Sequence, residues 1–128
     1  MNYEAYSSYH AVNLHSQAAA ASPVQLVLIL MDGLYEELAR VKAHIAARRY
    51  EAKAASLDKC IEILNGLSSA LDMESGGEVV ENLARLYDYC AWRLTQAGIQ
   101  LDPALVDEVI GLLDNIKQGW RGVLAKQA

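Results

Sequence analysis

A chain of 128 residues is one domain by length, and long enough to bury a core without disulfide or metal staples. Hydrophobic residues make up 53% of it and prolines number two, which leaves little room for disorder; a net charge of −5 and an isoelectric point near 5.1 exclude the basic footprint that nucleic acid requires. Cys60 and Cys90 have neither CxxC nor Cys/His spacing, so they read as reduced core thiols of a cytosolic protein.

The first element is an aromatic leader, Met1–Ala21. It cannot be a secretory signal, because it has no basic n-region and carries three tyrosines; no lysine or arginine precedes Arg40. Tyr3, Tyr6 and Tyr9, followed by Val12 or Leu14, lie at spacings that put them on one face of a short helix. Such a tail either frays or lies over apolar surface of the domain, and the aromatic spacing favours docking. Residues 22–128 then form the domain proper.

The first long helix has a sharp start, with Ser22 as N-cap, Pro23 at the first helical position and Gln25 placed to return a capping-box bond. Val27, Leu30, Leu34, Leu38, Val41 and Ile45 recur at intervals of three and four, which predicts one buried stripe. Arg48 and Arg49 follow, where cations complement the C-terminal end of the helix dipole. The apolar run Leu26–Met31 is far short of the ~20 residues that a membrane span needs, so no membrane insertion is expected.

The second helix is predicted from about Tyr50 to Ala70, with Leu57, Cys60 or Ile61, Leu64 and Leu71 inward. Gly76 and Gly77 supply a Cβ-free turn into a third helix, from about Gly77 to Ala97. Its inward stripe is Val80, Leu83, Tyr87, Cys90 and Leu94, and Gly98 is expected to end it as a left-handed C′ residue. Asp102-Pro103 repeats the cap-plus-proline start, and Val106, Val109, Leu113, Ile116, Trp120 and Val123 continue the periodicity. Long amphipathic helices with short connections predict an all-α, antiparallel up-down four-helix bundle.

Catalytic chemistry has no foothold in this pattern. His10, His15 and His44 lack carboxylates at ligand spacing, and the Glu-x-x-His pairs of a di-iron bundle are missing. G-x-S-x-G, P-loop and GxGxxG motifs do not occur. The reading is a non-enzymatic protein without cofactor or metal. Asp32-Gly33 lies within the first helix, where glycine costs about 1 kcal/mol against alanine. It marks either close helix packing or a notch for a partner. Tyr87 and Trp120 belong to the core. Asp88, Tyr89, Trp92 and Arg93 fall toward the surface, and Tyr89 with Trp92 suits a half-buried, half-wet contact.

These residues, taken with the first helix start, resemble the flagellin-specific FliS type of flagellar export chaperone. The matching elements are Ala21-Ser22-Pro23 with Leu26, Leu30-Met31-Asp32-Gly33, Leu71-Asp72 with Gly76-Gly77-Glu78, and Asn82-Leu83. Leu86-Tyr87-Asp88-Tyr89, Arg93-Leu94, Ala97, and Asp107-Glu108-Val109 through Leu112-Leu113 to Trp120 complete them. The chain departs from the family at Met31, where tyrosine is usual, at Cys90, where methionine is common, and in the bland Ala18–Ala21.

The resemblance implies an antiparallel bundle that binds the disordered C-terminal region of newly made flagellin in the cytosol, prevents premature polymerisation, and helps deliver the client to an export gate component. It further implies a leader that covers part of the groove until the client displaces it, and whose aromatics, Tyr6 and Tyr9, dock at the export gate once released; with Leu14 they are expected partner-binding residues. Asp32, Gly33, Asn82, Tyr89 and Trp92 complete the expected partner-binding set. The competing class is a structural adaptor that self-associates through its aromatic surface, with Tyr89 and Trp92 as a homodimer seam.

Overall fold

The computed structural model describes residues 21–71 and 76–127. Among these, regular structure consists of four helices: α1 Pro23–Ala46, α2 Tyr50–Ser69, α3 Gly77–Gln100 and α4 Pro103–Gln127. They form a closed ring in which α1 and α3 each pack against α2 and α4, while the two diagonal pairs make no backbone approach. The register of α1 on α4 is antiparallel and regular. Asp32 pairs with Lys117, Tyr35 with Asp114 and Lys42 with Asp107, so that one partner descends as the other ascends. This is the expected up-down four-helix bundle.

The helix starts follow the local chemistry. The Gln25 N–H donates to Ser22 Oγ at 3.2 Å and the Ser22 N–H donates to Gln25 Oε1 at 2.9 Å, closing the capping box. Gly77 opens α3 at φ +60°, the backbone state that favours glycine. The Ala104 N–H donates to Asp102 Oδ1 at 2.9 Å, with Pro103 as first residue of α4.

The end of α3 differs from expectation. Gly98 is not a C′ residue; it lies inside the helix and is buried, and Leu101 takes the left-handed conformation at φ +54° instead. The missing Cβ serves packing. A Cβ built on Gly98 would stand 2.5 Å from Leu57 Cδ1 on α2. The Gly98 carbonyl, one of the last-turn acceptors without an intrahelical partner, accepts a bond from Lys53 Nζ at 3.0 Å. A cation from α2 therefore caps the negative end of α3.

The core is one cluster drawn from all four helices. On α1 it takes Val27, Met31, Leu34, Leu38, Val41 and Ile45, a strict alternation of four and three. Met31 is fully buried, and Leu30, expected on that stripe, packs only partly against it. On α2 the inward residue is Cys60 rather than Ile61, and Leu67 takes the last core position while Leu71 is partly buried beyond the helix. Tyr87, Cys90, Leu94 and Ala97 represent α3, with Leu83 partly buried; Val80 is half-buried.

On α4 the stripe Val106, Val109, Leu113 and Ile116 continues into a partly buried Trp120, whose Nε1 donates to Tyr87 Oη at 3.4 Å. Val123, expected inside, is 41% exposed. A seven-residue repeat drifts about 20° per heptad on a straight helix. The Val109–Ile116–Val123 line is thereby carried off the core.

Candidate functional site

Beyond its core stripe, α3 carries a second, largely apolar line that no other described helix covers. Val79, Asn82, Leu86 and Tyr89 follow one another at intervals of three, four and three, all exposed. Val79 is 69% exposed and Tyr89 38%. Trp92, at 54%, stands beside Tyr89 with ring centroids 5.9 Å apart and planes tilted by 45°. Ile99 extends the apolar surface two turns further on. The amphipathic division of α3 explains why these side chains are available: Leu83, Tyr87, Cys90 and Leu94 already fill the face toward the core. Large aromatic residues with polar tips are economical in conformational entropy and suit a surface that a partner dries.

A polar frame borders the aromatic pair. Glu108 on α4 accepts from Tyr89 Oη at 3.0 Å through Oε1 and from Arg93 Nε through Oε2. The Arg93 guanidinium in turn lies 5.7 Å from the centre of the Trp92 ring, within cation–π range. The charges respond as this geometry requires. The bond from Arg93 holds the Glu108 carboxyl below the usual carboxylate range, the bond to Glu108 raises the Tyr89 phenol, and the same carboxylate raises Arg93.

The remaining expected contact residues are dispersed. Asn82 is exposed on the α3 line, its Oδ1 accepting from Arg85 Nη2. Asp32 lies on a different seam: its Oδ1 accepts from Lys117 Nζ at 2.8 Å. Lys117 Nζ also sits 5.0 Å from the centre of the Tyr35 ring, and Tyr35 Oη donates to Asp114 Oδ1 at 2.6 Å. Burial first, and then that bond, push the Tyr35 phenol up. Gly33 faces α2, where an added Cβ would make ordinary contact with Ile63 Cδ1 at 4.0 Å, so close packing does not demand glycine there. Tyr6, Tyr9 and Leu14 lie outside the described residues, as does the leader's expected docking. Asn82, Tyr89 and Trp92 thus share one surface of α3, while Asp32 and Gly33 lie on α1.

Glu108 enters the sequence reading only within the matching element Asp107-Glu108-Val109, with no contact role assigned to it. Its signal was present: Arg93 and Glu108 stand at similar distances on either side of the turn at Leu101-Asp102, so an antiparallel hairpin brings them together. Val79 goes unnamed there and Leu86 appears only within the matching motif, because an i, i+3, i+7 line beside a stronger core stripe is hard to separate from it in a chain this apolar.

The two thiols are free and buried in the core beneath this surface. Burial pushes the Cys60 thiol up to about 12 and the Cys90 thiol up to about 11, so both stay protonated near neutral pH. Among the described residues, no group of His, Cys, Asp and Glu is arranged to hold a metal ion, and no helix is long and apolar enough to cross a membrane.

Comparison with known proteins gives consistent matches over most of the chain. The model of the family described as flagellar protein FliS matches residues 5–127. The flagellar secretion chaperone FliS of Salmonella typhimurium is 40% identical over 120 residues, covering 93% of this chain and 89% of the relative. FliSB of Pseudomonas aeruginosa, also a flagellar secretion chaperone, is 38% identical over 120 residues, covering 94% and 95%. The FliS chaperone of Bacillus subtilis is 25% identical over 122 residues, covering 95% and 87%.

Proposed function

Since this chain belongs to the FliS family of flagellar secretion chaperones, we propose that it binds the disordered C-terminal region of flagellin in the cytoplasm, prevents premature polymerisation and helps hand the client to a component of the export gate. It does so without catalysis or cofactor. The observation that carries this reading is the exposed α3 line of Val79, Leu86 and Tyr89 with Trp92 beside it. A client segment that folds into an amphipathic helix lays its apolar face along such a line. Ordering that segment costs conformational entropy, so the contact has to be extended, and a helix of 24 residues offers roughly 36 Å of it.

Within this reading Asn82, Tyr89 and Trp92 touch the client on α3, and Asp32 and Gly33 form a lesser contact on α1. The leader, residues 1–21, is a tethered competitor for the client surface, with Tyr6, Tyr9 and Leu14 as its contacts; on release Tyr6 and Tyr9 engage the export gate. A tethered competitor acts at high effective concentration and lowers client affinity without abolishing it.

Calorimetric titration of the full chain with the flagellin C-terminal segment tests the proposal. Binding that weakens at least tenfold on Trp92→Ala is the expected result, the loss typical of an aromatic anchor. Absence of binding by both the full chain and a leader-deleted chain overturns it. The adaptor reading rests on the same exposed aromatic pair; concentration-dependent oligomers in sedimentation, unaffected by the flagellin segment, would favour it.

A further inference from the structure

Trp92 is the most exposed aromatic side chain of α3, and among the described residues its indole N–H has no partner. Two neighbours flank its ring, the Tyr89 ring at 5.9 Å and the Arg93 guanidinium at 5.7 Å. Both neighbours are held by one residue of the adjacent helix: Glu108 accepts the Tyr89 hydroxyl on one carboxylate oxygen and Arg93 Nε on the other. We infer that Glu108 is a positioning residue of the client surface, fixing Tyr89 and Arg93 together so that the Trp92 ring is presented in its binding orientation before the client arrives.

The inference rests on the reading of Tyr89 and Trp92 as client contacts. Its physical basis is preorganisation. An exposed tyrosine, tryptophan and arginine each lose rotamer freedom when a partner immobilises them, at roughly 0.5–1.5 kcal/mol per side chain. A carboxylate that restrains two of them, and the third through them, has the ordering done in the free protein. Glu108 does so from α4, outside the apolar line that meets the client, so it need not touch the client itself. Neither oxygen is redundant: one orients the ring that stacks against Trp92, and the other orients the cation over it.

Glu108→Gln tests this, since it keeps the shape of the side chain and removes the charge that Arg93 requires. In a Trp120→Phe background Trp92 is the sole tryptophan, so its fluorescence anisotropy reports the ring directly without any client. The expected results are a melting temperature within a few degrees of the parent, a fall in Trp92 anisotropy, and a loss of affinity for the flagellin segment of about fivefold to tenfold. In a Trp92→Ala background the same substitution should cost only about twofold to threefold, the share of Tyr89 and Arg93 alone. Unchanged anisotropy overturns the inference, and so does an equal loss of affinity with and without Trp92. Should Glu108→Gln fail to fold, Tyr89→Phe with Arg93→Gln disconnects the carboxylate from the other side, and the anisotropy decides. If the parent protein does not bind flagellin, the functional proposal fails while the anisotropy still judges the clamp.

Discussion

The side chain of Leu57 occupies the space that a β-carbon on Gly98 would need, with Leu57 Cδ1 2.5 Å from that position. Two opposing effects therefore meet at Gly98. Alanine would raise helix propensity by about 1 kcal/mol, but overpacking a buried contact commonly costs about 1–3 kcal/mol. Gly98→Ala is expected to lower stability by about 1 kcal/mol net in urea unfolding followed by circular dichroism. With Leu57→Ala already in place, the same change should stabilise, and a double-mutant cycle that shows additivity would contradict the contact.

Leu101 sits at φ +54°, a backbone state costing an ordinary residue roughly 1–2 kcal/mol. Glycine avoids that cost but loses more entropy on folding, by roughly 0.5–1 kcal/mol. Leu101 is 39% exposed, so Leu101→Gly relieves the backbone but gives up covered side chain, and stability should stay within about 1 kcal/mol of the parent. Thermal unfolding is the measurement, and a loss as large as that of a buried leucine, about 2 kcal/mol or more, would speak against this cap.

Glu37 is buried in the α1 face toward α2; one carboxylate oxygen bonds Arg40 Nη1, and the other has no partner among the described residues. An unsatisfied buried acceptor costs about 1–3 kcal/mol. Arg40 is half-exposed and tolerates the loss of its partner. Glu37→Met should therefore stabilise the fold by about 1 kcal/mol in denaturant titration.

The two thiols give a pH-dependent test. With Cys60 raised to about 12 and Cys90 to about 11 by burial, a thiol reagent at pH 8 should label neither in the folded protein and both in denaturant. Because folding raises these values, their contribution to stability is complete below the unfolded thiol value near 8.5 and is lost as pH rises through the folded values. Unfolding free energy should fall on going from pH 8 to pH 10.

Glu108 titrates in the opposite sense. Its carboxyl is held down by Arg93, so its contribution is present above the ordinary carboxylate value near 4.3 and disappears as pH falls through the lowered one. Tryptophan emission from Trp92 should shift with a midpoint below pH ~4.3, and Glu108→Gln should remove that transition.

Much of this fold was legible beforehand because its signals are local. Ser22, Pro23 and Gln25 specify one helix start within four residues, and the stripe from Val27 to Ile45 specifies a buried face. The misreading of Gly98 has a clear origin. Glycine near a helix end carries two meanings, a left-handed cap and a close approach, and only the position of Leu57, on another helix, separates them. The surface was legible in part: Tyr89 and Trp92 announce themselves by residue type. Glu108 did not, since a solvated glutamate and a two-armed clamp look alike until α4 is laid against α3.

The ties between α1 and α4 bear on how the molecule is made. Asp32 waits for Lys117, Tyr35 for Asp114 and Lys42 for Asp107, partners 85, 79 and 65 residues downstream. During synthesis α1 and α2 can pair as a hairpin while the ribosome is still translating, whereas one flank of α1 and the core residues Leu34, Leu38 and Val41 lack their α4 neighbours until the last helix emerges. Closure of the ring therefore waits for α4. A chain cut short before α4 presents an open three-helix sheaf with its apolar interior on view, a natural substrate for proteolysis.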